Sequence, residues 1–109
     1  MAWLVRDGEV LATLEVATST RARLRGLLGR DGIEGALLLE PAKSVHTIGM
    51  RFPIDVAFVD HELVVVRTAT MRPWRVGRIC LKAHAAIEAE AGSFASWELR
   101  PGDRLEVKR

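Results

Sequence analysis

The segment SVHTIGMRFPIDVAFVD, residues 44–60, carries three side chains capable of chemistry on the approach to a hydrophobic strand. His46, Arg51 and Asp55 could bind an anion, hold a metal or tie down the backbone. Pro53 fixes its own φ and disfavours helix in the residue before it, so the chain is stiff here. Because side chains alternate along a strand, Asp55 shares the apolar face, where a bare carboxylate costs several kcal/mol. We therefore expect Asp55 to be paired, with Arg51 or His46 as its nearest partners in sequence.

Two roles for these residues need no metal. In the first, Asp55 bonds backbone amides or Arg51 and only holds the corner together. In the second, His46 and Arg51 converge on a small anion with Arg75 of the segment PWR. Guanidinium groups suit this role because they bind carboxylate and phosphate through paired hydrogen bonds.

A third role is a metal site with mixed nitrogen and oxygen ligands, formed by His46 with Asp55, Glu88 or His84. Such a site would support a metal-assisted hydrolase that uses His46, Asp55 and Glu88. The spacings H-x-H and H-E-x-x-H do not occur in the chain, so we expect no metal and no other cofactor. Nothing resembles a nucleophilic triad, a phosphate-binding glycine loop or a dinucleotide fingerprint.

The hydrophobic pattern around these residues is mainly that of short β-strands. Asp7-Gly8 is a hairpin signal between two apolar runs. We predict strands at residues 2–6, 10–17, 36–40, 45–49, 55–60 and 63–69, and a last one after the turn Pro101-Gly102-Asp103. Residues 83–91 fit a helix by composition and a strand by alternation. Many short strands favour a small antiparallel sandwich or closed barrel of about eight strands.

One helix is predicted, from Ser19 to Leu28, covering an open end of the sheet. Ser19 can cap its start, and Leu24, Leu27 and Leu28 fall on one face. Gly26 inside the helix costs about 1 kcal/mol relative to alanine, so we expect it to pack closely against a neighbouring backbone.

The stretch Thr70–Ala83 is predicted to be a long loop that carries function. It is rich in cations and contains one aromatic residue, Trp74. We expect Trp74 to find apolar cover beside the sheet and to direct Arg75 into a cleft near His46. Because stacking aromatics are otherwise missing from the basic stretches, we expect no nucleic-acid partner.

The bulk composition indicates one soluble globular domain, residues 1–109, with 49% hydrophobic and 28% charged residues. No apolar run approaches the roughly 18 residues of a membrane helix, so we expect no membrane partner. The N-terminal residues do not form a secretion signal, and we expect a cytoplasmic protein. Cys80 is the only cysteine, so no internal disulfide forms.

Five segments of the chain together resemble the family called domain of unknown function 192. They are RLRGLLGR at 23–30, VHTIGMRFPIDVAFVD at 45–60, PWR at 73–75, AIEAEAG at 86–92 and PGDRLEV at 101–107. The resemblance implies a small, β-rich, barrel- or jelly-roll-like fold with one helix, and a strand rather than a helix at 83–91. It implies no activity. Many family members look exported, with signal sequences that this chain lacks.

The resemblance also singles out residues. Its characteristic positions here are Arg23, Gly26, Leu27, Gly29, Arg30, His46, Met50, Pro53, Asp55, Glu88, Gly92, Gly102 and Asp103. It makes Glu88 a candidate partner of Arg23, Arg51 or His46. The family's usual leucine and proline after this glutamate are Ala89 and Glu90 here.

From these observations we predict a non-enzymatic binding or accessory domain for a small anionic ligand. The candidate binding residues are His46, Arg51, Arg75, Asp55, Glu88 and Arg23. The metal-assisted hydrolase remains an alternative, as does a purely structural or interaction domain without a small-molecule site.

Overall fold

The computed structural model describes residues 2–109, which form seven β-strands and two short α-helices. The strands are β1 Ala2–Arg6, β2 Glu9–Ala17, β3 Ala36–Leu39, β4 Ile54–Val59, β5 Val65–Met71, β6 Ala85–Glu90 and β7 Glu106–Lys108. The helices are α1 Thr20–Arg25 and α2 Ser93–Trp97. The prediction of a mainly-β fold is confirmed, and the ambiguous segment 83–91 contains strand β6.

All seven strands belong to one sheet, in the order β5-β4-β6-β3-β2-β1-β7. Strands β2 and β3 are parallel, whereas the other neighbouring pairs are antiparallel. The sheet is therefore mixed rather than purely antiparallel as predicted. The parallel pair arises because the chain crosses over the sheet between β2 and β3, and α1 lies on this crossover.

The sheet does not close into the predicted barrel. The segments just before its edge strands, β5 and β7, meet at an isolated bridge between Val64 and Arg104. Beside this bridge the Val65 amide donates to the Asp103 carbonyl at 2.8 Å. A continuous ladder between the edges is missing from the described residues 2–109.

Each face of the sheet has its own apolar core. On one side, here called the α2 face, Leu38 and Ile87 pack with Phe94 of α2. On the other, the α1 face, Val56 and Phe58 pack under irregular segments that precede β4 and β6. The central strand β6 is buried on both faces, and three of its six residues are alanine, which keeps both layers close to the strand.

Helix α1 is shorter than predicted. It ends at Arg25, because Gly26 adopts φ 48° and ψ −125°, a conformation that favours glycine. Consequently Leu24 and Leu28 do not form a buried helical face: Leu24 is 72% exposed, and only Leu27 enters the core. The prediction that all three leucines share one buried face is wrong.

The expected reason for a glycine at position 26 is also corrected. A Cβ at Gly26 would lie 3.7 Å from Glu88 Oε1, an ordinary contact distance. Backbone conformation, rather than tight packing against a neighbouring backbone, therefore selects glycine here.

The predicted strand at 45–49 is an irregular segment that pairs with the loop before β6. His46 and Val76 form an isolated bridge, and the Gly77 amide donates to the Val45 carbonyl at 2.9 Å. Thr47 is fully buried between the two segments, and its hydroxyl donates to the Arg72 carbonyl at 2.6 Å. These two segments together form the outer layer of the α1 face.

Helix α2 was not predicted. It spans five residues, SFASW, and buries only Phe94. So short a segment shows no helical periodicity that the sequence could reveal. None of the helices in the described part of the chain is long and apolar enough to cross a bilayer.

Candidate functional site

A cavity of about 330 Å³ opens on the α1 face, with α1 as its roof and β6 as its floor. The segment 39–46 and residues 26–28, which follow α1, line most of the rest of the cavity. Of the six predicted binding residues, it brings together Arg23, His46 and Glu88. Lys43 and Arg25 add two further cations. We call it the α1 cavity.

Glu88 is the one carboxylate that lines the α1 cavity. It faces this side because it pairs with Val56 on β4, whose side chain packs in the core of the same face. The residue is 3% exposed, and Oε1 is buried without a hydrogen-bond partner. Burial raises the pKa of the Glu88 carboxyl from 4.5 to about 7.

Arg23 reaches the cavity from α1. Ser19 caps the start of this helix, its hydroxyl accepting from the Ala22 amide at 3.1 Å. The Arg23 guanidinium donates from Nη1 to the Pro41 carbonyl at 3.1 Å and from Nη2 to Thr20 Oγ1 at 3.4 Å. Its Nε is buried without an acceptor. Two residues that line the cavity thus carry one unsatisfied buried donor and one unsatisfied buried acceptor.

These two atoms do not satisfy one another. Arg23 and Glu88 form no ion pair within 4.0 Å in the described structure. Buried polar atoms are ordinarily hydrogen-bonded, because an unpaired one costs about 1–3 kcal/mol. Two such atoms, on residues that line one cavity, form the polar feature most suited to a bound molecule.

His46 and Lys43 line the cavity from the segment 39–46. His46 is exposed, and its Nδ1 accepts from the Ile48 amide at 3.3 Å. Lys43 donates from Nζ to the carbonyls of Leu81 and Ala83, at 2.9 and 2.8 Å. An ammonium has three donors, so one remains for a ligand. Sequence reasoning missed Lys43, whose only signal was its position three residues before His46.

Asp55 lies on the opposite face of the sheet from Glu88. It pairs with Ala89, one residue further along β6, and side chains alternate between faces. Its Oδ1 accepts from the Thr70 hydroxyl at 2.7 Å, and its Oδ2 accepts from the amides of Gly92 and Phe94 at 3.0 and 3.1 Å. The carboxylate therefore ties β4 to β5 and to the start of α2.

The expectation that Asp55 bonds backbone amides is confirmed at Gly92 and Phe94, whereas the two side chains predicted as its partners are wrong. Neither Arg51 nor His46 contacts it, because both lie on segments of the α1 face. Asp55 and Glu88 cannot share a metal, because their side chains lie on opposite faces of the sheet. Within residues 2–109, no group of three or more His, Cys, Asp or Glu side chains is arranged to hold a metal ion.

Arg51 and Arg75 lie outside the α1 cavity. Arg51 is exposed and pairs with the exposed Asp31 at 3.0 Å. Arg75 lines a separate groove, and Trp74 beside it is 65% exposed. The expectation that Trp74 is covered is therefore wrong, and Arg75 does not line the cavity that His46 lines.

The comparisons with known proteins agree with the fold. The sequence matches the family domain of unknown function 192, described as "Uncharacterized ACR", over residues 2–107. A UPF0127 protein of Pyrococcus abyssi is 29% identical over 98 residues, which cover 85% of this chain and 84% of that protein.

Two crystal structures have the same fold. One is a protein of unknown function from Novosphingobium aromaticivorans, with a TM-score of 0.79 and 19% identity, covering 96% of this chain and 82% of that one. The other, from Sinorhizobium meliloti, is described as a candidate transcription regulator, with a TM-score of 0.81 and 20% identity, covering 97% of this chain and 91% of that one. At these identities the likeness concerns the fold alone. The family match spans nearly the whole chain, and the protein belongs to the domain of unknown function 192 family.

Proposed function

We propose that the protein binds a small organic anion in the α1 cavity. The observation that carries the proposal is the pair of buried, unpartnered atoms, Arg23 Nε and Glu88 Oε1, which belong to residues lining one cavity. A ligand that accepts a hydrogen bond from Arg23 and donates one to Glu88 would satisfy both.

The charges around the cavity favour a ligand with a negative group. Arg23, Arg25 and Lys43 surround it, against a single carboxyl whose pKa of about 7 leaves it partly protonated at neutral pH. A carboxylate or phosphate would match the cations. A neighbouring hydroxyl, amide or ammonium on the ligand would supply the donor that Glu88 Oε1 lacks.

The size of the cavity limits the ligand to a metabolite. Ligand pockets in proteins range from roughly 300 to 1,000 Å³, and this one, at about 330 Å³, is at the lower end. Its apolar lining residues, such as Leu39 and Met50, give a short hydrocarbon portion a surface to contact.

A second candidate is an enzyme that uses Glu88 for proton transfer. A carboxyl with a pKa of about 7 can both accept and release a proton at neutral pH, which suits a general acid or base. The metal-assisted hydrolase that would use His46, Asp55 and Glu88 together lacks support, because Asp55 faces the other side of the sheet.

The test is a thermal-shift screen of hydroxy acids, amino acids and small phosphate esters, followed by calorimetry of the compounds that stabilise the protein. A binding compound should add about 2.7 kcal/mol at a hundredfold excess over its dissociation constant. Arg23→Gln and Glu88→Gln should each abolish the stabilisation.

Matched controls lie two residues away. Arg21 is exposed on the same helix and Glu90 is exposed on the same strand, and neither lines the cavity. Arg21→Gln and Glu90→Gln should retain binding. Binding that survives both cavity substitutions would refute the proposal. Turnover of a bound compound that is lost in Glu88→Gln would favour the enzyme.

A further inference from the structure

A second concave surface, of about 540 Å³, lies beside the loop 72–84. Four arginines line it and no carboxylate does: Arg67, Arg72, Arg75 and Arg78. We call it the arginine groove. None of the residues that line the α1 cavity belongs to it, so the two sites are distinct.

The positive charge of the groove has no internal counter-charge. Arg67 is held in place: its guanidinium lies 5.0 Å from the centroid of the Phe58 ring and donates from Nη2 to the Arg78 carbonyl at 3.0 Å. The other three arginines are exposed. In the described chain, none of the four is within 4.0 Å of a carboxylate oxygen.

Large apolar side chains on the same loop are turned to solvent. Trp74 and Ile79 are each 65% exposed, Val76 is 76% exposed and Leu81 is 80% exposed. They are interleaved with the arginines in the sequence RPWRVGRICLK. Exposing four such residues within eight positions is unfavourable unless a partner covers them.

Both features together fit the surface of a bilayer. A small phosphate compound would neutralise the arginines and leave the apolar side chains in water. A nucleic acid would use Trp74 for stacking, but would gain nothing from Ile79 and Leu81. At a bilayer surface, arginines bind headgroup phosphates while tryptophan and aliphatic side chains enter the boundary with the acyl chains.

We propose that the loop 72–84 docks the protein onto bilayers that contain anionic phospholipids. The arginine groove holds headgroup phosphates, and Trp74, Val76, Ile79 and Leu81 enter the interface. The proposal differs from the expectation of no membrane partner, which rested on the lack of a membrane-spanning segment. The ligand of the α1 cavity plays no part in it.

The test is flotation of the full-length protein with vesicles of phosphatidylcholine alone or mixed with phosphatidylglycerol. We expect binding to the mixed vesicles only, weakening as salt is raised. Removing an arginine should weaken binding about fivefold, and removing three about a hundredfold. The triple variant is Arg72→Gln, Arg75→Gln and Arg78→Gln. A control with the same charge change, at exposed residues that do not line the groove, is Arg100→Gln, Lys108→Gln and Arg109→Gln.

Two further variants test the apolar side chains. Leu81→Ser should weaken vesicle binding, whereas Val10→Ser, at an exposed site on the β1–β2 hairpin, should not. Mixed vesicles should shift the tryptophan emission to the blue, and Trp74→Phe should remove the shift while keeping the binding. Equal losses in both triple variants would overturn the proposal. So would no vesicle binding, or binding of single-stranded RNA in its place.

Discussion

Replacing Glu88 by glutamine should stabilise the protein at alkaline pH and leave it unchanged at acid pH. Burial raises the pKa of the Glu88 carboxyl from 4.5 to about 7, so the folded protein holds this proton more tightly than the unfolded chain. Below pH 4.5 the carboxyl is protonated in both states. Between 4.5 and about 7 only the unfolded state releases the proton, and stability falls as pH rises. Above about 7 the folded state carries a buried charge.

The size of the effect follows from the difference between the two pKa values. At about 1.36 kcal/mol per pKa unit, the change from 4.5 to about 7 lowers the free energy of unfolding by about 3 kcal/mol. Solvent screening reduces this little, because Glu88 is only 3% exposed. A glutamine resembles the protonated acid in shape and never ionises. The variant should therefore exceed the parent by about 3 kcal/mol near pH 8 and match it near pH 4.

The measurement is urea unfolding of parent and variant at a series of pH values. Other titrating groups are common to both proteins, so the difference between the two curves reports Glu88. Glu90→Gln changes the exposed last residue of β6; it is the control and should show no such pH-dependent difference. Parallel stability curves for Glu88→Gln and the parent would refute the reasoning. A variant less stable than the parent near pH 8 would show that the carboxylate has a partner in the folded protein.

Three other predictions can be checked, two by urea unfolding and one by thiol labelling. Asp55→Ala should lower the free energy of unfolding by about 1–3 kcal/mol, since it leaves two amides and a hydroxyl unpaired. Its control, Asp31→Ala, removes an exposed ion pair and should change the free energy of unfolding by less than about 1 kcal/mol. Gly26→Ala should be destabilising by about 1–3 kcal/mol because of its φ of 48°, whereas Gly32→Ala meets only Glu90 Oε2 at 4.0 Å and should be neutral. Cys80 is buried, so a thiol reagent should label it only as the protein unfolds; rapid labelling of the native protein would show that the loop 72–84 opens locally.

The sequence predicted the features that depend on residues close together in the chain, such as strand positions and the face on which a side chain lies. The hydrophobic pattern located β1 to β5, although it also predicted a strand at 45–49 that is irregular, and the apolar face of β4 correctly placed Asp55 in the interior. Backbone amides were predicted as its partners, but which residues supply them was beyond reach, because Gly92 and Phe94 at the start of α2 meet Asp55 only through the sheet order. Local pattern cannot supply such distant contacts.

The lining of the α1 cavity was predicted in part for the same reason. The family resemblance named Arg23 and Glu88, and His46 stood out as a polar residue, but the sequence did not show that Arg51 and Arg75 lie elsewhere. That separation follows from contacts made on folding: Arg51 pairs with Asp31, and Arg75 lines a groove beside β5. The end of α1 was missed because the helical spacing of apolar residues continues through Leu27 and Leu28. The backbone conformation of Gly26, with φ 48° and ψ −125°, ends the helix before them.

The pairing of β1 with β7 bears on how the chain is made. Trp3 lies opposite Lys108, so β1 is synthesised about a hundred residues before the strand that covers its outer edge. During synthesis that edge offers unpaired amides and carbonyls to other chains. Contacts of such long sequence separation also slow folding. A chain cut short before Glu106 would keep most of its core residues yet expose β1, and we expect it to aggregate rather than to fold.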